Sequence, residues 1–148
     1  MSAAWPCEQP SGGVTVAVAA LVTRGARTLL VQRGKEPAAG KWSLPGGHLL
    51  LGEPLAGAVA RELEEETALA ATRVGDLVEV TELVRPQAGL HYLIHVFRVE
   101  VDPEAEAAAG DDAAALRWCS AEEVGDLDTT AGLRDFLERH GAFAAPSP

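Results

Sequence analysis

The stretch Gly47-His48-Leu49-Leu50-Leu51-Gly52-Glu53-Pro54-Leu55-Ala56-Gly57-Ala58-Val59-Ala60-Arg61-Glu62-Leu63-Glu64-Glu65-Glu66-Thr67-Ala68-Leu69 decides the fold. Its second half reads as a helix from about residue 54 to 68. Pro54 suits the first helical position, where a missing N–H costs nothing, and the residues after it are mostly strong helix formers. With each residue advancing about 100° and Arg61 set at zero, Glu65 falls near 40°, Glu62 near 100° and Glu66 near 140°. Leu63, Ala56 and Val59 fall between about 160° and 220°, on the arc that should face a core, and Glu64 points away near 300°. Three carboxylates therefore share one edge of the helix, beside its buried stripe.

That arrangement costs stability. Like charges at i,i+3 and i,i+4 are unfavourable by about 0.2–0.5 kcal/mol per pair in exposed helices, and by more where solvent is restricted. The cluster also lies toward the helix C-terminus, where the dipole disfavours negative charge. A hard divalent cation removes the conflict, because Mg²⁺ takes oxygen ligands and sits between carboxylates and substrate phosphates. A bare triplet of glutamates would read as a solvated acidic face; the loop in front of it reverses that reading.

Gly47, five residues, Glu53, seven residues, then Arg61-Glu62-Leu63-Glu64-Glu65-Glu66 resembles the Nudix box, G-x5-E-x7-R-E-U-x-E-E-x-G-U with U apolar. Ala68 stands where the box has glycine, and every other defined position agrees. A left-handed cap kept at Ala68 would cost about 1 kcal/mol; a helix running on by a residue or two is the alternative. The lead-in Trp42-Ser43-Leu44-Pro45-Gly46-Gly47 is also typical of the family. A looser similarity, including Trp118, extends over residues 14–140. Ala115 is a second departure, since many relatives carry a glutamate there.

The resemblance implies an α/β fold, the Nudix α/β/α sandwich with a mixed β-sheet flanked by helices. It implies a hydrolase that uses Mg²⁺, with Mn²⁺ as a substitute, to cleave a nucleoside diphosphate linked to another moiety. Glu62, Glu65 and Glu66 are the implied metal ligands, with the Gly46 carbonyl as a further one. Glu53 and Arg61 are expected to hold the loop against the helix through a charge-assisted pair. Glu62 or Glu65 is the candidate base that takes a proton from the attacking water.

Residues 40–49 resemble the branch that converts nucleoside triphosphates, canonical or modified, to the monophosphate plus pyrophosphate. In that reading His48 and Tyr92 line the substrate site, while Arg33 and Lys41 meet phosphates. Each has a plainer reading, as a surface charge or a structural strand residue. An ADP-ribose or nucleotide-sugar pyrophosphatase is the alternative. A non-catalytic nucleotide-binding sensor is disfavoured because the box carboxylates are all present.

The rest of the chain is consistent with this. At 148 residues it suits one domain with its own core. Twelve Lys and Arg against 22 Asp and Glu give a net charge of −10, which repels nucleic-acid polymers and anionic membrane surfaces. The apolar run at 14–22 is too short to span a bilayer. No basic-then-apolar leader is visible, and two distant cysteines read as free thiols, so the expected setting is the cytoplasm. A homodimer is compatible with the family, although no segment marks an interface.

Residues 1–12 read as a flexible lead-in, 13–141 as the single domain and 142–148 as a disordered tail. Strands are expected at 14–23 and 28–32, forming a hairpin, and at 74–84 and 91–101, joined by a turn at 85–89. A short strand is expected at 116–119. Residues 33–53 read as a glycine- and proline-rich loop, and 102–112 as a flexible acidic one. Ser120 and Glu123 fit a capping box, and Thr129 or Thr130 would cap a last helix.

Overall fold

The computed structural model describes residues 13–36, 38–110 and 113–143. The lead-in, Cys7 and residues 144–148 of the expected tail lie outside them.

Two sheets are flanked by helices. The first sheet runs β5 (Gly46–His48), β1 (Thr15–Leu21), β7 (Leu90–Val101) and β6 (Ala71–Arg85). β1 is parallel to β7, from Thr15 opposite Tyr92 to Leu21 opposite Arg98, and antiparallel to β5; β6 is antiparallel to β7. In the second sheet β3 (Arg27–Arg33) pairs antiparallel with β8 (Ala113–Cys119), β2 (Thr23–Arg24) and β4 (Trp42–Ser43). The first sheet is thus mixed, as expected.

The alternation of β1 builds a core on each of its faces. Val18 and Ala20 pack with Val22, Leu29 and the α1 (Leu55–Thr67) residues Ala58, Val59 and Leu63. Ala19 and Leu21 pack with Leu30, Cys119, Val124 of α2 (Ala121–Gly125) and Leu133, Phe136 and Leu137 of α3 (Leu133–Arg139). Glu79 on β6 accepts from Arg139 at 3.0 Å and lies 2.9 Å from Nε2 of His140, tying the end of α3 to the first sheet. Cys119 is buried and free. Among the described residues no helix is long and apolar enough to cross a membrane.

Several expectations change. The strand at 14–23 is divided: Thr15–Leu21 belongs to the first sheet and Thr23–Arg24 to the second. Residues 33–53 contain β4 and β5, each too short to show a period. Pro54 is the N-cap, extended at ψ 150°, so the helix begins one residue later. Ala56 is exposed, and Ala58 and Thr67 join Val59 and Leu63 in the buried stripe. The capping box of Ser120 and Glu123 is present. The last helix is capped by Gly132 instead of a threonine, because the 129–130 backbone is engaged with Trp42. Residues 102–110 form a loop, as expected, whose Ala108 and Gly110 N–H groups are bonded to the end of α1.

Candidate active site

The site is built where β5 meets α1. Gly46 lies opposite Ala19 and Gly47 opposite Val18. A Cβ on Gly46 would run into the Val18 carbonyl oxygen, and one on Gly47 into the Glu62 carboxyl group. The two glycines therefore let β5 sit close against β1 and against the helix edge that carries the carboxylates.

Arg61 occupies the middle of that edge. Its Nε and Nη2 donate to the two carboxyl oxygens of Glu53 at 2.6 and 3.0 Å. Nη1 donates to Glu62 at 2.8 Å and to Glu65 at 3.1 Å, and Nη2 also reaches the His48 carbonyl at 3.1 Å. The expected pair of Glu53 with Arg61 is thus part of a larger junction. The bridge from Arg61 to Glu65 was foreseeable from their i,i+4 spacing. The hydrogen bond to Glu53, with help from Glu62 and Glu65, raises the Arg61 pKa far above its already high value. The same bond with Arg61 lowers the Glu53 pKa.

Glu62 and Glu65 differ in access: the Glu62 side chain is 16% exposed and that of Glu65 57%. Glu66 turns to β5 and accepts the Gly46 N–H at 2.6 Å. The rings of His48 and Tyr92 stack, with centroids 5.6 Å apart and planes at 30°, so two expected substrate residues meet beside the junction. Arg33 and Lys41 stand at the β3–β4 connection of the second sheet. The Arg33 N–H donates to the Lys41 carbonyl, and Lys41 Nζ lies 3.4 Å from Asp128. Trp42 packs against the α3-side core. His95 Nδ1 lies 3.3 Å from the Ala17 carbonyl, and His91 pairs with Glu82 at 3.1 Å.

Among the described residues, no three His, Cys, Asp or Glu side chains are gathered into a ready metal cage. The donor set nevertheless fits a hard cation, being all oxygen. Three carboxylates, those of Glu53, Glu62 and Glu65, contact one guanidinium, and Glu66, on the same helix, accepts the Gly46 N–H of β5. That guanidinium meets three carboxylates, more negative charge than it offsets, which suits a divalent cation.

At Ala68 the helix ends in the left-handed conformation, φ 63° and ψ 10°, with its N–H donating to the Glu64 carbonyl. The alanine therefore keeps the glycine's conformation.

Comparisons with known proteins give the family of the chain. The NUDIX domain model matches residues 13–140. A Mycobacterium tuberculosis protein named "Putative 8-oxo-dGTP diphosphatase 2" is 36% identical over 129 residues, covering 82% of this chain and 84% of that protein. The crystal structure of a MutT NUDIX hydrolase from Burkholderia pseudomallei superposes with a TM-score of 0.76 at 30% identity, covering 84% of this chain and 96% of that one. A bifunctional NMN adenylyltransferase/ADP ribose pyrophosphatase from Francisella tularensis, crystallised with AMP and a Mn ion, matches at TM-score 0.74 and 27% identity. It aligns with 90% of this chain over 42% of its own length. With its helix edge of carboxylates, its glycine-bearing β5 and its mixed sheet between helices, the chain belongs to the Nudix family and is a Nudix hydrolase.

Proposed function

We propose that this enzyme is a cytoplasmic, Mg²⁺-dependent hydrolase that cleaves nucleoside triphosphates, oxidised ones among them, to the monophosphate and pyrophosphate. The observation that carries the metal-dependent chemistry is the helix edge itself: Glu62 and Glu65 share Arg61 with Glu53, and Glu66 stands beside them on α1. The substrate class is supported by the similarity to the mycobacterial protein over most of its length.

In this reading Glu62, Glu65 and Glu66, with the Gly46 carbonyl, hold the cation. When bound, Mg²⁺ neutralises the phosphate oxygens and lowers the pKa of a water. Arg61 and Glu53 fix the loop–helix geometry through their paired hydrogen bonds. Glu62 or Glu65 takes the water's proton, and Glu65, the more exposed, has the freer carboxylate. The stacked His48 and Tyr92 offer aromatic faces to the nucleotide. Arg33 and Lys41 meet its phosphates as it reaches toward the second sheet.

The similarity to the bifunctional pyrophosphatase supports a second reading, in which ADP-ribose is the preferred substrate. Phosphatase-coupled phosphate release, with product identification, separates the two. The panel holds canonical and oxidised nucleoside triphosphates, ADP-ribose, NADH, dinucleoside polyphosphates and nucleotide sugars, with Mg²⁺ and with Mn²⁺. Pyrophosphate and a monophosphate from a triphosphate are expected. A kcat/KM at least tenfold higher for ADP-ribose, about 1.4 kcal/mol of transition-state preference, would replace the first reading with the second.

A further inference from the structure

Residues 102–110 form a strap without regular secondary structure that crosses behind the C-terminal end of α1. Arg24 holds its start: Nη2 donates to the carbonyls of Asp102 and Ala105, each at 3.1 Å. The Arg24 guanidinium in turn lies over the Trp118 ring, 4.3 Å from its centre. Ala105 and Ala107 pack against the core that contains Ala58, Val59 and Leu63 of α1. At the far end the Ala108 N–H donates to the Thr67 carbonyl at 2.8 Å, and the Gly110 N–H to the Glu66 carbonyl at 2.9 Å. This last contact is backbone on backbone. A Cβ on Gly110 would run into the Glu65 carbonyl oxygen and come within 3.2 Å of the Glu66 Cα.

We propose that Gly110 is a positioning residue for the carboxylates of Glu65 and Glu66. The last carbonyls of a helix lack intrahelical donors and carry the negative end of its dipole. Here that end adjoins three carboxylates, and the strap directs two N–H groups at it. These satisfy the Glu66 and Thr67 carbonyls, offset part of the local negative potential, and hold the main chain from which both side chains spring. Gly110 acts through that main chain, to which its own N–H is bonded. The close approach admits no side chain, so even alanine must push the helix end away. Arg24, clamped on Trp118, fixes the strap from its other end.

This inference rests on the reading of Glu62, Glu65 and Glu66 as ligands of a divalent cation. The test is Mn²⁺ binding to the nucleotide-free protein, read by electron paramagnetic resonance of free Mn²⁺, together with steady-state kinetics. Gly110→Ala is expected to weaken Mn²⁺ binding and to lower kcat by about tenfold each, the lower end of the effect of outer-shell partners. The nucleotide KM should stay within about twofold, because uniform substrate binding is untouched. Arg24→Met, which frees the strap's start, should act in the same direction but less. A folded Gly110→Ala protein with wild-type Mn²⁺ binding and kcat overturns the proposal, and so does a lowered Tm with neither quantity changed. Should Gly110→Ala fail to fold, Arg24→Met decides by the same two readouts, and no change in either overturns it. Glu66→Gln separates the two levels of failure. Unchanged Mn²⁺ affinity there removes the ligand reading itself, whereas a loss there beside wild-type behaviour of Gly110→Ala removes only the positioning role.

Discussion

Arg61 grips Glu53 with two parallel hydrogen bonds, Nε to one carboxyl oxygen at 2.6 Å and Nη2 to the other at 3.0 Å. The pair joins the end of the loop before α1 to the turn of α1 that bears the carboxylates. A bidentate arginine–carboxylate contact is stronger and more directional than one made by lysine. Arg61→Lys should therefore lower kcat by about 10–100-fold, as outer-shell partners typically do, while the nucleotide KM changes little. Steady-state kinetics check this, and a KM effect alone would place Arg61 in substrate binding instead.

Glu66→Gln should keep the fold and lower turnover by at least about 100-fold, more than the loss of an outer-shell partner. Its Oε1 accepts the Gly46 N–H at 2.6 Å, a bond that the glutamine carbonyl can still accept. Near-normal kcat in a protein with native circular dichroism would overturn the assignment of the site.

Mg²⁺ should raise the Tm of the wild type more than that of Glu62→Gln/Glu66→Gln. A cation at 100 times its Kd stabilises the native state by about 2.7 kcal/mol, about 5–10 °C for a domain of this size. Equal shifts in a thermal melt would put the cation elsewhere on the protein.

Ala68→Gly should stabilise the protein. Alanine at φ 63° carries the steric cost of the left-handed region, about 1–2 kcal/mol, against which glycine's extra unfolded-state entropy takes back about 0.4–1 kcal/mol. The central values leave a net gain of about 0.8 kcal/mol, a Tm rise of about 2–3 °C. A fall in Tm would mean that the alanine methyl makes contacts worth more than the strain.

The capping box gives a pH dependence. Glu123 accepts the Ser120 N–H at 2.9 Å, Arg117 at 2.7 Å and Arg27 at 2.6 Å. The backbone bond from Ser120, then the bond from Arg117, lowers its pKa to about 2. A carboxylate depressed in the folded state contributes stability that is whole above its ordinary pKa of about 4.3 and is lost as the pH falls through the folded value. The Tm should fall between about pH 4 and pH 2, and Glu123→Gln should flatten part of that fall. Identical slopes in melts across that range would locate the acid sensitivity in other carboxylates.

Local signals carried much of this protein. The capping box at Ser120 and the edge of α1 follow from residues within a few positions of one another, whereas at Ala68 a left-handed end and a longer helix were both open and the structure shows the left-handed end. What escaped the sequence depends on partners far along the chain. β4 and β5 have only two and three residues, and they are strands because Gln32 and Ala19 lie opposite them. Thr129 and Thr130 look like helix caps, yet their backbone is taken by Trp42. At the site the glutamate edge was legible because helical geometry is fixed. The closeness of β5 to Glu62, and the strap behind Glu66, come from packing that no local pattern encodes.

The parallel pairing of β1 with β7 also orders events in time. Thr15 must find Tyr92, and until β7 exists the only strand beside β1 among the described residues is the three-residue β5. At about 5–20 residues per second, synthesis leaves β1 without its main neighbour for roughly 4–15 s. Its sequence, Thr15-Val16-Ala17-Val18-Ala19-Ala20-Leu21, has no charge and no proline, the composition most prone to pairing with another chain. The strand that separates the two finished cores is thus, while the chain is being made, its most exposed liability, and yield at high expression should be governed there before it is governed by the stability of the folded enzyme.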